Sequence, residues 1–358
     1  QITANPPLTG WTAAKILWVR KHEPEIYARC RHILLPKDYI RYILTGVFAT
    51  EVSDASGMQL LDVPGRCWSD EVLEKLEIPK EWLGTVYESC QVTGTLLPEI
   101  AEQTGLSTEV KVVGGAGDNA AAAVGTGVVR DGNAFTTIGT SGVVFAHSSK
   151  VTIDPKGRVH TCCCAVPGAW HVMGVTQGAG LSLKWFKDQF CQDYVAEAKK
   201  QGVDVYDLIN RDIEKIPVGS DRLLYLPYLM GERTPHLDPD CRGVFFGLSA
   251  IHTKAHLLRA VMEGVSYSLA DCNETLKEMG VDVDQMMACG GGGKSPIWRQ
   301  MLSDLYQCQV KTVYQSEGPA LGVAILAGVG CGIYESVESA CDRLIREDRV
   351  SQPSAEDG

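Results

Sequence analysis

The sequence has little of what marks a membrane, secreted or nucleic-acid-binding protein. None of its 13 cysteines forms a Cys-x-x-Cys pair, so neither a structural zinc site nor a regular disulfide framework is indicated. Its formal net charge of -11 argues against the basic surface that non-specific nucleic-acid binding needs. The longest apolar run, 319–334, is shorter than the roughly 20 residues of a membrane span and predicts a buried helix. These absences predict a globular protein of a reducing, cytoplasmic compartment, without nucleic-acid or membrane partners.

Length and composition bound the architecture. The chain has 358 residues, which at roughly 150 residues per domain predicts about two domains. Its hydrophobic content of 45% is enough to form a large core. Strand and helix patterns alternate along much of the chain, which indicates an α/β fold. The cysteines at 162–164, which follow His160 closely, are interpreted as part of a buried strand rather than as metal ligands.

The first clear pattern surrounds a single acidic residue. Val110, Val112 and Val113 predict the end of a strand, and the glycine-rich turn 114–117 follows. Asp118 comes directly after this turn and begins an alanine-rich helix. The spacing therefore predicts a carboxylate at the point where a strand ends and a helix starts.

A second pattern predicts a β-hairpin. The apolar strands 134–138 and 143–146 flank the turn 139–142, which reads Gly-Thr-Ser-Gly. Two such strands around a short glycine turn are typical of a hairpin. Just before them, the chain becomes polar over 127–133, and a domain boundary is predicted there.

Two further segments have a regular pattern. Apolar residues recur every three or four positions through 254–280 and predict a long amphipathic helix. The apolar strand 286–289 leads into the four-glycine turn 290–293, and Ser295 is a suitable N-cap for the helix that follows. Since 310–313 returns as a strand, this segment predicts a βαβ unit with a glycine-rich first turn.

Asp118 has two interpretations that the local sequence leaves open. Aspartate is a favoured N-cap residue, so its role can be purely structural. Alternatively, it is a functional carboxylate, because ligand crevices in open α/β sheets lie where strands end. The stretch 115–120 also fits the dinucleotide pattern Gly-x-Gly-x-x-Ala, but no acidic residue follows at the end of the next strand. A dehydrogenase is therefore disfavoured.

The two glycine turns are candidate phosphate-binding loops. The turn 139–142 is either a simple hairpin turn or a phosphate cradle, in which backbone N–H groups and hydroxyls donate hydrogen bonds. The segment 290–295 is similar to a Walker A loop, but Ala288 stands where the first glycine is required. The backbone N–H groups of a glycine-rich turn before a helix can still bind the anionic or flat parts of a nucleotide. If both turns and Asp118 converge, the reaction class is phosphoryl transfer.

These same segments resemble the FGGY carbohydrate kinases. The stretch 243–263 contains Gly-Val-Phe-Phe-Gly-Leu, His-Leu and Ala-Val-Met-Glu, and it is similar throughout to the long second signature of that family. The stretches 35–41, 53–57, 226–229 and 231–236 resemble the family members that phosphorylate D-xylulose. The resemblance covers nearly the whole chain. It implies an α/β, two-domain fold of the actin-like ATPase (ribonuclease-H-like) class.

The resemblance also implies a division of the chain. Residues 1–130 correspond to the remainder of the sugar-binding N-terminal domain, 131–350 to the nucleotide-binding C-terminal domain, and 351–358 to a polar tail. Family members begin with an Asp-x-Gly-Thr hairpin that binds phosphate and helps to hold magnesium, and this sequence does not contain that motif. The N-terminal domain is therefore expected to be incomplete, and the usual C-terminal helix is expected to be absent.

By this resemblance, Asp118 is the catalytic base that takes the proton of the sugar hydroxyl, and Asn119 is a substrate-binding neighbour. The segment 318–324 is similar to a helix on the nucleotide side of the family fold. No metal ligand is implied among these residues. The implied nucleotide-binding residues are Gly139, Thr140, Ser141 and Gly142 of a phosphate loop, and Gly291, Gly292 and Gly293 of the adenosine motif.

The implied reaction is phosphorylation of D-xylulose by ATP to D-xylulose 5-phosphate, a step of pentose catabolism. ATP and Mg²⁺ are the expected cofactors, and the ketopentose and ATP are expected to meet between the two domains. Two alternatives stay open. One is a related kinase that acts on ribulose, glycerol or a deoxy-sugar. The other is an inactive sugar- or nucleotide-binding remnant, because the first phosphate motif is absent. A homodimer is also left open.

Overall fold

The computed structural model describes residues 1–314 and 318–355. Helices and strands alternate along the chain, in agreement with the predicted α/β character. The α-helices are α1 (Thr12–His22), α2 (Pro24–Arg29), α3 (Pro36–Thr45), α4 (Val52–Ala55), α5 (Asp70–Leu76), α6 (Pro98–Thr104), α7 (Asp118–Gly125), α8 (Gly180–Phe190), α9 (Gln192–Gln201), α10 (Val205–Ile213), α11 (Lys254–Glu278), α12 (Pro296–Tyr306), α13 (Gly318–Gly330) and α14 (Val337–Leu344).

The strands are mostly short outside one larger sheet. They are β1 (Ala49–Glu51), β2 (Leu61–Asp62), β3 (Cys67–Trp68), β4 (Thr85–Tyr87), β5 (Val92–Thr95), β6 (Lys111–Val113), β7 (Gly132–Ile138), β8 (Gly142–Ser148), β9 (His160–Cys163), β10 (Trp170–Thr176), β11 (Leu224–Leu226), β12 (Val244–Phe246), β13 (Val283–Cys289), β14 (Gln309–Val313) and β15 (Glu347–Ser351).

The described chain forms two compact units whose segments alternate along the sequence. Unit 1 contains 1–131, 147–172 and 318–345. Unit 2 contains 132–146, 173–314 and 346–355. The predicted boundary near residue 130 is close to the first passage from unit 1 to unit 2. The division into continuous functional domains stays a prediction, and the local sequence pattern did not indicate the later returns to unit 1.

The main sheet dominates unit 2, where its strands follow the order β15-β14-β13-β7-β8-β10. β13 runs parallel to both β7 and β14, and the residues 134–138 of β7 pair antiparallel with 142–146 of β8. The predicted hairpin and the predicted βαβ unit are therefore confirmed. The predicted long helix is α11, which packs against α8, α10, α12 and β11. The residues of its predicted apolar stripe that lie within the helix are buried: Leu258, Val261, Val265, Leu269, Cys272 and Leu276.

In unit 1, α7 packs closely against α13. No Cβ fits at Gly322 against the carbonyl of Ala121, or at Gly125 against the carbonyl of Gly318. The apolar run 319–334 is thus helical through Gly330, as predicted, but α13 lies in unit 1 rather than in the unit that carries the glycine turns. β9 is buried throughout, as predicted for the cysteine-rich strand. Over 1–314 and 318–355, no helix is long and apolar enough to cross a membrane.

The polar tail is bound to unit 2 through its first residues. Ser351 belongs to β15, and the backbone N–H of Ser354 donates to Asp304 Oδ1 at 2.8 Å. Gln300 Nε2 donates to the carbonyl of Gln352 at 2.8 Å. The polar composition of this segment therefore satisfies hydrogen bonds along α12.

Candidate active site

Both candidate phosphate loops lie at the same edge of the sheet in unit 2. β7 ends at Ile138 and leads into the loop 139–142, while β13 ends at Cys289 and leads into the loop 290–293. Because these strands are parallel neighbours, their carboxyl ends meet at one edge. Ligands of open α/β sheets bind at such edges.

Backbone hydrogen bonds fix the loop 139–142 to the start of α8. Gly180 N donates to the carbonyl of Gly139 at 2.7 Å, and Leu181 N donates to the carbonyl of Thr140 at 3.2 Å. Within the loop, Gly139 N donates to the carbonyl of Ser141 at 3.1 Å. The N–H of Thr140 donates to no residue that the structure describes, so it remains available to a phosphate oxygen.

The loop 290–293 needs glycine at two positions for different reasons. Gly290 has φ +76°, a left-handed conformation that side chains disfavour. At Gly292, a Cβ would lie 2.5 Å from Ile138 Cγ2, so only glycine permits this approach to the end of β7. The buried Arg299 donates to the carbonyls of Gly293 at 2.7 Å and Lys294 at 2.9 Å, and these bonds hold the end of the loop.

A cavity of about 570 Å³ lies between the two loops, within unit 2. Its size is in the range of small-molecule and cofactor pockets. The charged residues of its lining are two lysines, Lys184 and Lys294, and two aspartates, Asp204 and Asp207, and Lys184 Nζ also pairs with Asp188 at 2.6 Å. The lining residues are Ile138, Gly139, Thr140, Gly180, Leu181, Leu183, Lys184, Asp204, Tyr206, Asp207, Asn210, Met262, Gly291, Gly292, Lys294, Ser295, Pro296 and Trp298.

The cavity brings together four of the predicted nucleotide-binding residues, Gly139, Thr140, Gly291 and Gly292. The other three, Ser141, Gly142 and Gly293, are not part of its wall. Gly142 and Gly293 are buried, and a Cβ on Gly142 would lie 2.6 Å from Thr176 Oγ1. The structure therefore shows a packing requirement for glycine at 142.

Sequence reasoning missed the wall of the cavity that α8 and α10 provide. Asp204 caps α10 and accepts from Tyr206 N at 2.9 Å, and Asn210 Oδ1 accepts from Ser295 Oγ at 3.0 Å. These residues lie on ordinary amphipathic helices without a motif. The N-cap aspartate was a local signal for the helix start, but nothing in the sequence placed it near the glycine loops.

Asp118 lies in unit 1, at the first position of α7. The N-cap is Gly117, which makes no side-chain cap hydrogen bond, so the N-cap interpretation of Asp118 is wrong. Its carboxylate is exposed, and Oδ1 accepts from Asn119 N at 2.7 Å and from Asn119 Nδ2 at 3.1 Å. The side chains of Asp118 and Asn119 are therefore in contact, and their catalytic and substrate-binding roles stay predictions.

The turn 114–117 that carries Asp118 is held by other segments of unit 1. Arg41 of α3 donates to the carbonyl of Gly114 at 3.0 Å. Gly115 N donates to the carbonyl of Ser89 at 2.9 Å, and Gly117 N donates to Ser53 Oγ at 3.0 Å. Gly114 N also donates to the carbonyl of Gln91 at 2.9 Å, so the backbone before the carboxylate is fixed by four hydrogen bonds.

A charged cluster behind this turn contains Lys37, Asp38, Arg41, Glu51 and Asp54. Lys37 Nζ lies 2.7 Å from Asp38, 3.2 Å from Glu51 and 3.6 Å from Asp54. Burial opposes the charge of Lys37, but the three carboxylates together raise its pKa. Burial also raises the pKa of Asp54 to about 6, although Lys37 opposes this shift. Of the three carboxylates, Asp54 lies farthest from Lys37 Nζ.

A resident metal cage is not formed by the residues that the structure describes. Over 1–314 and 318–355 there is no group of three or more His, Cys, Asp or Glu side chains that could hold an ion. Magnesium bound with a nucleotide takes most of its ligands from phosphate oxygens and water.

The fold and the cavity define a sugar kinase of the actin-like ATPase class, with a nucleotide-sized cavity at the carboxyl edge of its main sheet. The chain belongs to the FGGY family of carbohydrate kinases. The model of the N-terminal domain of this family matches residues 1–125, and the model of the C-terminal domain matches residues 134–331. The chain is therefore a member of a family of enzymes, the phosphotransferases that use ATP as co-substrate.

Several relatives of this chain are named xylulose kinase, and another is named gluconokinase. This chain is 40% identical over 355 residues to "Xylulose kinase" of Bacillus subtilis (strain 168), and the matched region covers 99% of this chain and 69% of the relative. It is 41% identical over 337 residues to "Xylulose kinase" of Escherichia coli (strain K12), with 94% and 67% covered. A crystal structure of a xylulose kinase from Brucella ovis superposes with a TM-score of 0.90 at 33% identity, and covers 99% of this chain and 71% of that one.

Proposed function

We propose that this chain carries the ATP-dependent phosphorylation of D-xylulose to D-xylulose 5-phosphate. The observation that carries the proposal is the cavity of unit 2, where Gly139, Thr140, Gly291 and Gly292 share one wall. Small residues and bare backbone at a strand-to-helix edge suit a polyphosphate. The choice of D-xylulose is supported by the relatives that are named xylulose kinase.

In this proposal ATP occupies the cavity of unit 2. The glycine loops receive the polyphosphate, and Lys184 and Lys294 reduce the repulsion among its charges. Bound Mg²⁺ would supply further charge neutralisation through the phosphate oxygens. Asp204 and Asn210 also line the cavity, and their carboxylate and amide groups suit the hydroxyls or ring nitrogens of a nucleoside.

Asp118 acts as the general base in this proposal, and Asn119 orients it. The sugar hydroxyl gives its proton to the exposed carboxylate while its oxygen forms a bond to the γ-phosphorus. The bond from that phosphorus to the bridging oxygen of ADP breaks, and ADP leaves. Phosphoryl transfer depends mainly on positioning and charge stabilisation, so the fixed turn 114–117 is a suitable support for the base.

The substrate choice is tested by measuring ADP release with a panel of acceptors at matched concentrations. We expect the highest kcat/KM with D-xylulose, and lower values with ribulose, glycerol and a deoxy-sugar. A preference for glycerol would contradict the substrate assignment. Binding of ATP and D-xylulose without ADP formation, seen by calorimetry, would instead support an inactive binding protein.

A further inference from the structure

Asp54 is the member of the charged cluster whose presence the fold does not explain. Asp38 is bound by Arg41 at 2.6 Å and by Thr50 Oγ1 at 2.6 Å. Glu51 accepts from Ser53 N at 2.7 Å, from Asp54 N at 2.9 Å and from Ser89 Oγ at 3.0 Å. The carboxylates of Asp38 and Glu51 therefore have several hydrogen-bond donors within unit 1.

The carboxylate of Asp54 has no comparable partners. Its nearest cation, Lys37 Nζ, lies 3.6 Å away, which is a long contact, and the same Nζ lies closer to Asp38 at 2.7 Å and to Glu51 at 3.2 Å. The carboxylates of Asp38, Glu51 and Asp54 outnumber the two cations, Lys37 and Arg41. Asp54 is the carboxylate that receives the weakest of these ion pairs. A half-buried carboxylate with so few donors is under-solvated, and it gains from any further donor that reaches it.

Asp54 also lies beside the turn that carries the proposed base. Its Oδ1 is 3.5 Å from the position that a Cβ of Gly117 would occupy, and Gly117 directly precedes Asp118. The neighbouring Ser53 Oγ accepts from Gly117 N, which fixes α4 to this turn. The side chains of Asp54 and Lys37 are 33% and 28% exposed, so both are accessible from solvent.

We propose that Asp54 is a sugar-binding residue, whose carboxylate accepts a hydrogen bond from a hydroxyl of the acceptor sugar. A ketopentose has several hydroxyls on neighbouring carbons. One molecule can therefore present a hydroxyl to Asp118 and another to Asp54. The inference rests on the proposed function, because it takes the sugar to bind beside Asp118. Asp54 is in this view a specificity residue and not a second base.

The pH dependence of the stability of the fold helps to distinguish a binding role of Asp54 from a structural role. Burial, with contributions from Glu51 and Asp38, raises the pKa of Asp54 to about 6 despite Lys37. Since the folded-state pKa lies above the unfolded value, the stability linked to protonation is present at acid pH and is lost as the pH rises through about 6. At pH 8 the charged carboxylate therefore destabilises the fold, as expected of a group retained for binding.

The test compares the full chain with the variants Asp54→Asn, Asp118→Asn and Asp70→Asn. The last is a control, because Asp70 is 79% exposed and forms a surface pair with Lys80. We expect Asp54→Asn to weaken D-xylulose binding by roughly 10-fold, because the amide oxygen of Asn still accepts a hydrogen bond but lacks the charge that strengthens it. Calorimetry should show unchanged ATP affinity in all variants, and unchanged D-xylulose affinity for Asp70→Asn.

Two further readings of the same variants separate binding from structure. The D-xylulose affinity of the parent chain should fall as the pH drops through about 6, and Asp54→Asn should remove this dependence. At pH 8 the variant should melt at a temperature equal to or a few degrees above that of the parent. Tight sugar binding by Asp54→Asn, or a lower melting temperature at pH 8, would overturn the assignment.

The outcomes also separate this inference from the proposed function. If the parent chain binds D-xylulose and Asp54→Asn binds it equally well, only the role of Asp54 is wrong. If the parent chain binds none of the sugars of the panel, the proposed function is contradicted, and the role of Asp54 with it.

Discussion

Glycine-rich turns occur in both units, but different forces hold them in place. In unit 2 the loop 139–142 is held by backbone hydrogen bonds from α8, and the loop 290–293 is held by close packing on Ile138. In unit 1 the turn 114–117 donates backbone hydrogen bonds to the carbonyls of Ser89 and Gln91, and it is also held by the side chains of Arg41 and Ser53. The proposed nucleotide site thus presents backbone groups, whereas the turn before the proposed base is also supported by the buried charged side chain of Arg41. The first arrangement leaves a local sequence signature, and the second does not.

The largest expected effect is the loss of the base in unit 1. Replacing Asp118 with Ala removes the proton acceptor, so kcat with D-xylulose should fall by roughly 10²–10⁴, the usual contribution of a general base. The affinity for ATP should stay the same, because the cavity lies in unit 2. Steady-state ADP release and ATP calorimetry measure the two quantities. Near-normal turnover would show that another group takes the proton.

The next effect concerns the charged support of the turn 114–117. Arg41 is 5% exposed, and it joins Asp38 to the carbonyls of Gly114 and Ala49. Replacing it with Met leaves a buried carboxylate short of a partner, so the free energy of unfolding should fall by about 3–5 kcal/mol. Chemical denaturation measures this change.

A matched control for that variant is Arg130→Met. Arg130 and Asp342 form an ion pair at 2.6 Å, with side chains 45% and 62% exposed. Water screens this pair, so its loss should change the unfolding free energy by less than about 1 kcal/mol. Equal effects of the two arginine variants would contradict the importance of buried charge in unit 1.

The smallest effect concerns the packed loop of unit 2. In Gly292→Ala the new Cβ would lie 2.5 Å from Ile138 Cγ2, whereas Gly291 has nothing within 4 Å of a Cβ. The first variant should lower the free energy of unfolding by about 1–3 kcal/mol through overpacking. The second should have little effect on stability. Thermal unfolding of both variants decides this point, and a destabilised Gly291→Ala would weaken the packing explanation.

Much of the fold followed from local patterns. The hairpin at 134–146, the βαβ unit that ends at β14, and the long helix α11 were predicted because their periodicity and turns act over a few residues. The return of 147–172 and 318–345 to unit 1 was not predicted, because it depends on packing between distant segments such as α7 and α13.

The candidate site shows the same division. Gly139, Thr140, Gly291 and Gly292 were predicted and do share a cavity. The wall from α10, with Asp204 and Asn210, carried no motif and was missed. The cluster around Lys37 was also missed, because its members come from α3, β1 and α4 and meet only in the folded chain. The spacing of these residues along the sequence does not indicate that their side chains are in contact.

The most direct measurement is a crystal structure of the full chain with D-xylulose and a non-hydrolysable ATP analogue. We expect the phosphates against Gly139, Thr140 and Gly292. We also expect a carboxylate oxygen of Asp118 within roughly 2.6–3.2 Å of the reacting hydroxyl, the reach of a general base. A sugar bound with every hydroxyl beyond hydrogen-bond distance of Asp118 would contradict the role of Asp118 as the base.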